Sequence, residues 1–171
     1  MVKNNQKVLI YGYGNPGRQD DALGIELAEK IEHWAAENGY CFVETEISYQ
    51  LNIEDAVVIS DKDLVIFADA SGEDIDDFLL TGVNADSKVE FTMHQVTPAF
   101  VKYLCNEIYG YVPETYQLHI KGYKWEFMKG LTKKAGENLN KAAQFLENYL
   151  VKRINGKCDE MILANQFTHK T

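Results

Sequence analysis

The chain has 171 residues, 46% of them hydrophobic and 12% aromatic, with 26 acidic against 17 basic side chains and a formal net charge of −9. That length makes one domain with a substantial core the simplest expectation. The acidic balance excludes nucleic acid and an anionic membrane surface as partners, because both need a basic face.

In chain order, residues 7–13 (KVLIYGY) read as a buried strand. Leu23, Leu27, Ile31 and Trp34 then recur at helical spacing with charged residues between them, which predicts a helix over 20–38, closed by Asn38 and Gly39. Residues 41–47 (CFVETEI) form a second strand, 53–59 a short helix, and 63–70 (DLVIFADA) a buried strand that ends in a carboxylate. Residues 88–93 are a weaker strand, and Thr97 followed by Pro98 supplies an N-cap and first-turn pair for a helix through residue 109. Residues 116–122 make a fifth strand. Ala135, Leu139, Ala142, Leu146 and Leu150 mark a long last helix. Strands alternating with helices predict helices on both faces of a largely parallel sheet. No apolar run is long enough for a membrane span or shaped like a signal peptide. Cys41, Cys105 and Cys158 are odd in number and scattered, as reduced thiols of a cytoplasmic protein would be.

The stretch LIYGYGNPGRQDDALG, residues 9–24, carries Gly12, Gly14 and Gly17 at dinucleotide-fingerprint spacing. In a nucleotide site the helix begins inside that motif and turns its N–H groups to the pyrophosphate. Here Pro16, Gly17 and Arg18 delay the helix, and Asp20 and Asp21 fill its positive end with the chain's own negative charge. The acidic ribose partner expected roughly 20 residues on has no clean candidate, since Glu37 still lies in the helix pattern. The phosphate reading fails, and a nucleotide-binding oxidoreductase is the weaker alternative. Two carboxylates at a helix start suit a cation, although Asp20 as a helix cap with Asp21 on the dipole is the ordinary alternative.

Two other residues stand at strand–helix junctions. Asp69 ends the strand 63–70, and ligands of open α/β sheets collect at the carboxyl ends of strands. His94 lies between a strand and the Thr97 cap. Two acids and an imidazole make an O,O,N set with open positions, acceptable to Ni²⁺, Zn²⁺ or Fe²⁺. Common hydrolase motifs are missing from the sequence: none of His33, His94, His119 and His169 belongs to an HExxH pattern, and there is no GxSxG. Glu73, Asp74, Asp76 and Asp77 read as a solvated loop. Tyr123, Trp125 and Phe127 read as a cover for the end of the sheet, with an interface as the other use of such side chains.

Gly12-Tyr13-Gly14-Asn15-Pro16 followed by Asp20-Asp21 and Gly24 resembles the signature of the [NiFe]-hydrogenase maturation endopeptidases. Tyr49-Gln50-Leu51, LVIFADAS (64–71), His94-Gln95 and Gly130-Leu131-Thr132 continue the resemblance in order over most of residues 7–150. It implies a three-layer α/β/α sandwich, phosphorylase/hydrolase-like, with five mostly parallel strands and one antiparallel strand, to which 88–93 would correspond. It implies a single peptidase domain with its core over about 7–153 and an unassigned tail over 154–171. The activity implied is removal of a C-terminal extension from a hydrogenase large-subunit precursor after nickel insertion. The implied ligands are Asp21, Asp69 and His94, acting on nickel supplied by the substrate, with Zn or Cd able to occupy the same site. Asp20 is the nearest spare carboxylate for a general base. A metal so held can polarise a scissile carbonyl or lower the pKa of a bound water. The free protein is expected to be a monomer, and the rival from another class is a non-catalytic chaperone that checks the metal centre.

Overall fold

Residues 6–85 and 96–154 are described by a computed structural model. Their order is β1 (Val8–Tyr13), a 3₁₀ turn (Gln19–Ala22), α1 (Leu23–Glu37), β2 (Val43–Ser48), α2 (Asp55–Ile59), β3 (Leu64–Ser71), β4 (Phe78–Gly82), α3 (Pro98–Tyr109), β5 (Glu114–Lys121) and α4 (Lys133–Ile154). The five strands form one sheet in the order β2-β1-β3-β5-β4. β1 pairs in parallel with β2 and β3, β3 pairs in parallel with β5, and β4 alone runs antiparallel, against β5.

Alternation along the central strands divides the core in two. Val8 and Ile10 of β1, Leu64 and Ile66 of β3, and Leu118 and Ile120 of β5 pack against Leu27 and Ile31 of α1 and Leu139 and Leu146 of α4. The intervening residues Leu9, Tyr11, Val65 and Phe67 pack on the other face against Ala56 and Ile59 of α2 and Val101 and Cys105 of α3. The result is the three-layer sandwich with a mostly parallel five-stranded sheet. Thr97 caps α3 by accepting a hydrogen bond from the Phe100 amide, and Gly110 ends that helix at φ 63°.

Two expectations are corrected. The antiparallel strand is β4, which follows the acidic loop directly; residues 88–93, expected to supply it, lie outside the described residues. β4 belongs to the sheet because Leu80 is buried and the Phe78 ring lies 5.2 Å from that of Phe145 of α4, tilted against it, a contact made only through tertiary packing. Cys41, expected as the first residue of the second strand, is exposed and lies ahead of β2. Cys158, His169 and the rest of the tail from 155 also lie outside the described residues. Among the described residues no helix is long and apolar enough to cross a membrane.

Candidate functional site

The glycines of the opening stretch serve close packing. A Cβ on Gly24 would lie 2.2 Å from the Ala68 carbonyl oxygen and 2.6 Å from that of Tyr13, and one on Gly12 would lie 2.1 Å from the Gly24 oxygen. The start of α1 is therefore in main-chain contact with β1 and β3. Gly14 takes φ 142°, and its own Cβ would meet the Asp21 carbonyl oxygen at 2.0 Å. This compression lays the turn bearing Asp21 over the carboxyl ends of β1 and β3. The Asp21 carboxylate accepts a hydrogen bond from the Asn15 amide at 3.1 Å, and the Asn15 side chain accepts one from the Gly17 amide at 2.8 Å.

Asp20 points elsewhere. It is fully buried, and its carboxylate accepts hydrogen bonds from the amides of Tyr123, Lys124 and Thr132 and from the Thr132 hydroxyl, at 2.7–3.1 Å. No side chain caps the 3₁₀ turn or α1. Asp20 is thus neither a helix cap nor among the residues lining the cleft, and the four hydrogen bonds its carboxylate accepts come from the 122–132 loop.

Asp69 stands near the end of β3, hydrogen-bonded by the Tyr13 hydroxyl. Burial pushes its carboxyl up to about 7, and the charge of Asp21 adds to the rise, opposed by the Ala70 amide and the Tyr13 hydroxyl. Tyr13 is raised in turn by burial and by the Asp69 charge, so its hydroxyl keeps its proton and remains a donor. Gln117 of β5 donates to the Tyr13 oxygen at 3.2 Å. Asp21, Asp69, Tyr13 and Gln117 line one cleft of about 330 Å³, walled by the Tyr49-Gln50-Leu51 segment and by Val96, Thr97 and Pro98 at the start of α3.

Asp21 and Asp69 share an open cleft with no basic side chain among the described residues that line it, and the charge of Asp21 raises Asp69. A cation or a hydrogen-bond donor from a ligand is the group that relieves them. His94 lies outside the described residues, which resume at Val96 on the cleft wall. Among the described residues no group of three or more His, Cys, Asp or Glu side chains is arranged to hold a metal. His119 sits opposite Asp69 in the β3–β5 register, but its ring is bonded to the Thr81 hydroxyl at 3.0 Å, and burial holds it below the usual histidine value. A larger groove of about 650 Å³ runs between α1 and α4, lined by Glu26, Glu29, Lys30, His33 and Glu147 among others. It is shallow, lies on the outer surface of two helices and has no strand end opening into it.

Sequence reasoning did not single out Tyr13 and Gln117 for roles of their own. The available signals were an aromatic between two glycines at a strand end, and an uncharged polar residue interrupting the pattern of 114–121.

No family sequence model and no curated protein sequence matches the chain. Solved structures do match in fold: the chain has the architecture of the hydrogenase maturation endopeptidases. The hydrogenase-maturating endopeptidase HybD from E. coli superposes with a TM-score of 0.65 at 19% identity, covering 88% of this chain and 94% of that one. The [NiFe] hydrogenase maturation protease HycI from Thermococcus kodakarensis gives 0.64 at 20% identity, covering 89% and 94%. A hydrogenase 2 maturation peptidase from a Thaumarchaeota archaeon gives 0.60 at 15% identity, covering 89% and 99%.

Proposed function

We propose that this protein is a hydrogenase maturation endopeptidase that removes the C-terminal extension of a [NiFe]-hydrogenase large-subunit precursor once nickel is in place. The observation that carries the reading is the cleft itself: Asp21 and Asp69 line it together at the strand ends of a sandwich shared with structures of hydrogenase maturation endopeptidases, and no basic side chain stands among the described residues that line it. The nickel is part of the substrate. Asp21 and Asp69 are its carboxylate acceptors and His94 its nitrogen donor, a set that suits Ni²⁺ and also Zn²⁺ or Cd²⁺.

The physics of discrimination follows from the charge pair. A nickel-free precursor offers the two carboxylates no compensation, so docking in the cleft leaves them buried together and repelling. A loaded precursor brings the missing positive charge. Metal state is thereby converted into affinity, and a substrate is rejected for what it lacks. Tyr13 keeps Asp69 in one orientation and is itself steadied by Gln117.

Incubating the pure protein with nickel-loaded and with nickel-free precursor, followed by mass spectrometry, tests the proposal. Shortening of the loaded precursor alone is expected. Equal shortening of both, or of neither, overturns it. Binding of the loaded precursor without shortening gives the protein the role of a chaperone that checks the metal centre.

A further inference from the structure

Between β5 and α4 the chain runs through 122–132, GYKWEFMKGLT, and this loop combines rigidity with exposed apolar surface. Besides the four hydrogen bonds to the Asp20 carboxylate, the Gln19 amide donates to the Met128 carbonyl at 2.9 Å and the Asp20 amide to that of Lys124 at 3.1 Å. The Gln19 side chain accepts from the Glu126 amide, and Arg18 Nε donates to the Trp125 carbonyl, both at 3.3 Å. Gln19 takes φ 45° to make these contacts, a left-handed conformation uncommon outside glycine. Trp125 closes the underside against Gly72 and Gly122.

On the outer side Phe127 is 87% exposed and Met128 53%. The Arg18 guanidinium lies over the Phe127 ring, 5.3 Å from its centre, a cation–π contact that restrains the ring. An aromatic fixed before binding loses little conformational freedom when it is buried, and aromatic, Met and Arg side chains are the ones enriched in interface cores. The surrounding charge is the reverse of the rest of the molecule. Residues 121–134 carry Lys121, Lys124, Lys129, Lys133 and Lys134 against one acid, Glu126, in a chain of net charge −9. The partner that fits is an apolar recess rimmed by acidic side chains.

The loop is also continuous with the cleft. It leaves the carboxyl end of β5, the edge of the sheet at which β1 and β3 present Asp21 and Asp69, and its anchors Arg18, Gln19 and Asp20 run directly into Asp21. We infer that Phe127 and Met128, ringed by Arg18, Lys124 and Lys129, dock into an acidic-rimmed apolar recess on the folded body of the substrate protein and so register its chain end with the cleft. This rests on the reading above that the substrate is a protein precursor.

The test compares the full-length protein with Phe127→Ala/Met128→Ala, with Lys124→Glu/Lys129→Glu and with Ile108→Ala, an exposed apolar residue on α3. Processing kinetics and equilibrium binding of the nickel-loaded precursor are measured at low and at high salt. Both double variants should raise KM and Kd about ten-fold with kcat retained. Salt should weaken the wild type and narrow its advantage over Lys124→Glu/Lys129→Glu, whose repulsion from the acidic rim is screened. Ile108→Ala should change nothing. A wild-type protein that cleaves, with loop variants that keep its KM and Kd, overturns the docking inference and leaves the peptidase reading standing. An equal loss in Ile108→Ala overturns it too, as does a wild-type dimer that becomes monomeric on Phe127→Ala/Met128→Ala, since the occupant is then a second copy. A wild-type protein that neither binds nor cleaves the precursor removes the peptidase reading, and the docking inference falls with it.

Discussion

Asp20 and Asp21 are neighbours in the chain and opposites in their surroundings. The Asp20 carboxylate is sealed from water and met by four donors from one loop, so its charge is compensated inside the fold. Asp21 accepts one amide hydrogen bond among the described residues and lines a cleft, where its charge bears on Asp69. A buried charge that the protein satisfies by itself contributes to stability. One left facing another of the same sign costs stability, and a fold retains it where something from outside completes it. The region 18–20 with its loop is the first kind, and the cleft is the second.

The sharpest way to break this comparison is to exchange the two outcomes. Asp21→Ala should lower processing of nickel-loaded precursor roughly 100-fold or more while the melting temperature holds or rises, measured by mass spectrometry and thermal unfolding on the same sample. Asp20→Ala should act mainly on the fold. Three loop amides and a hydroxyl lose their acceptor, a destabilisation of about 2–4 kcal/mol, read as a lower urea midpoint with an unchanged slope. A stable, inactive Asp20→Ala, or an unfolded Asp21→Ala, would reverse the assignment. Gly24→Ala should join the two effects. Its methyl has only main-chain atoms to meet, at 2.2 and 2.6 Å, so α1 must lift from the sheet, at a cost of about 3 kcal/mol, carrying Asp21 away from Asp69.

What the sequence could convey follows the same division. The parallel strands, α1, α3 and α4 were legible because their apolar spacing is set by burial on the sheet. The pairing of Asp21 with Asp69 in one cleft was legible too, since both stand at strand–helix junctions and parallel strands bring such junctions to one edge. β4 was hidden because five residues after a run of acids carry little periodicity; the strand exists through Phe78 and Leu80 meeting the core, which no local pattern announces. The place of Asp20 was hidden for a related reason. A carboxylate at a helix start reads as a cap, and its partners Tyr123, Lys124 and Thr132 lie more than a hundred residues on. Long-range satisfaction of a polar group leaves no trace in spacing.

The smallest expected effect sharpens the comparison most, because its sign is unusual. The Asp69 carboxyl titrates near 7 in the folded chain and near 3.8 ordinarily, raised first by burial and then by Asp21. A raised acid favours the folded state fully below the unfolded value, and that contribution is lost as pH climbs from about 4 to about 7. At pH 8, with chelator present and no precursor, the ionised Asp69 therefore burdens the fold. Asp69→Asn should stabilise the free protein there, on the order of 2 kcal/mol, or roughly 5 °C in melting temperature, while processing is lost. The gain should shrink toward zero at pH 4, where the wild-type carboxyl is neutral as well. A loss of stability, or a gain that does not vary with pH, would mean that the cleft carries no uncompensated charge and that Asp69 belongs with Asp20 as a structural group.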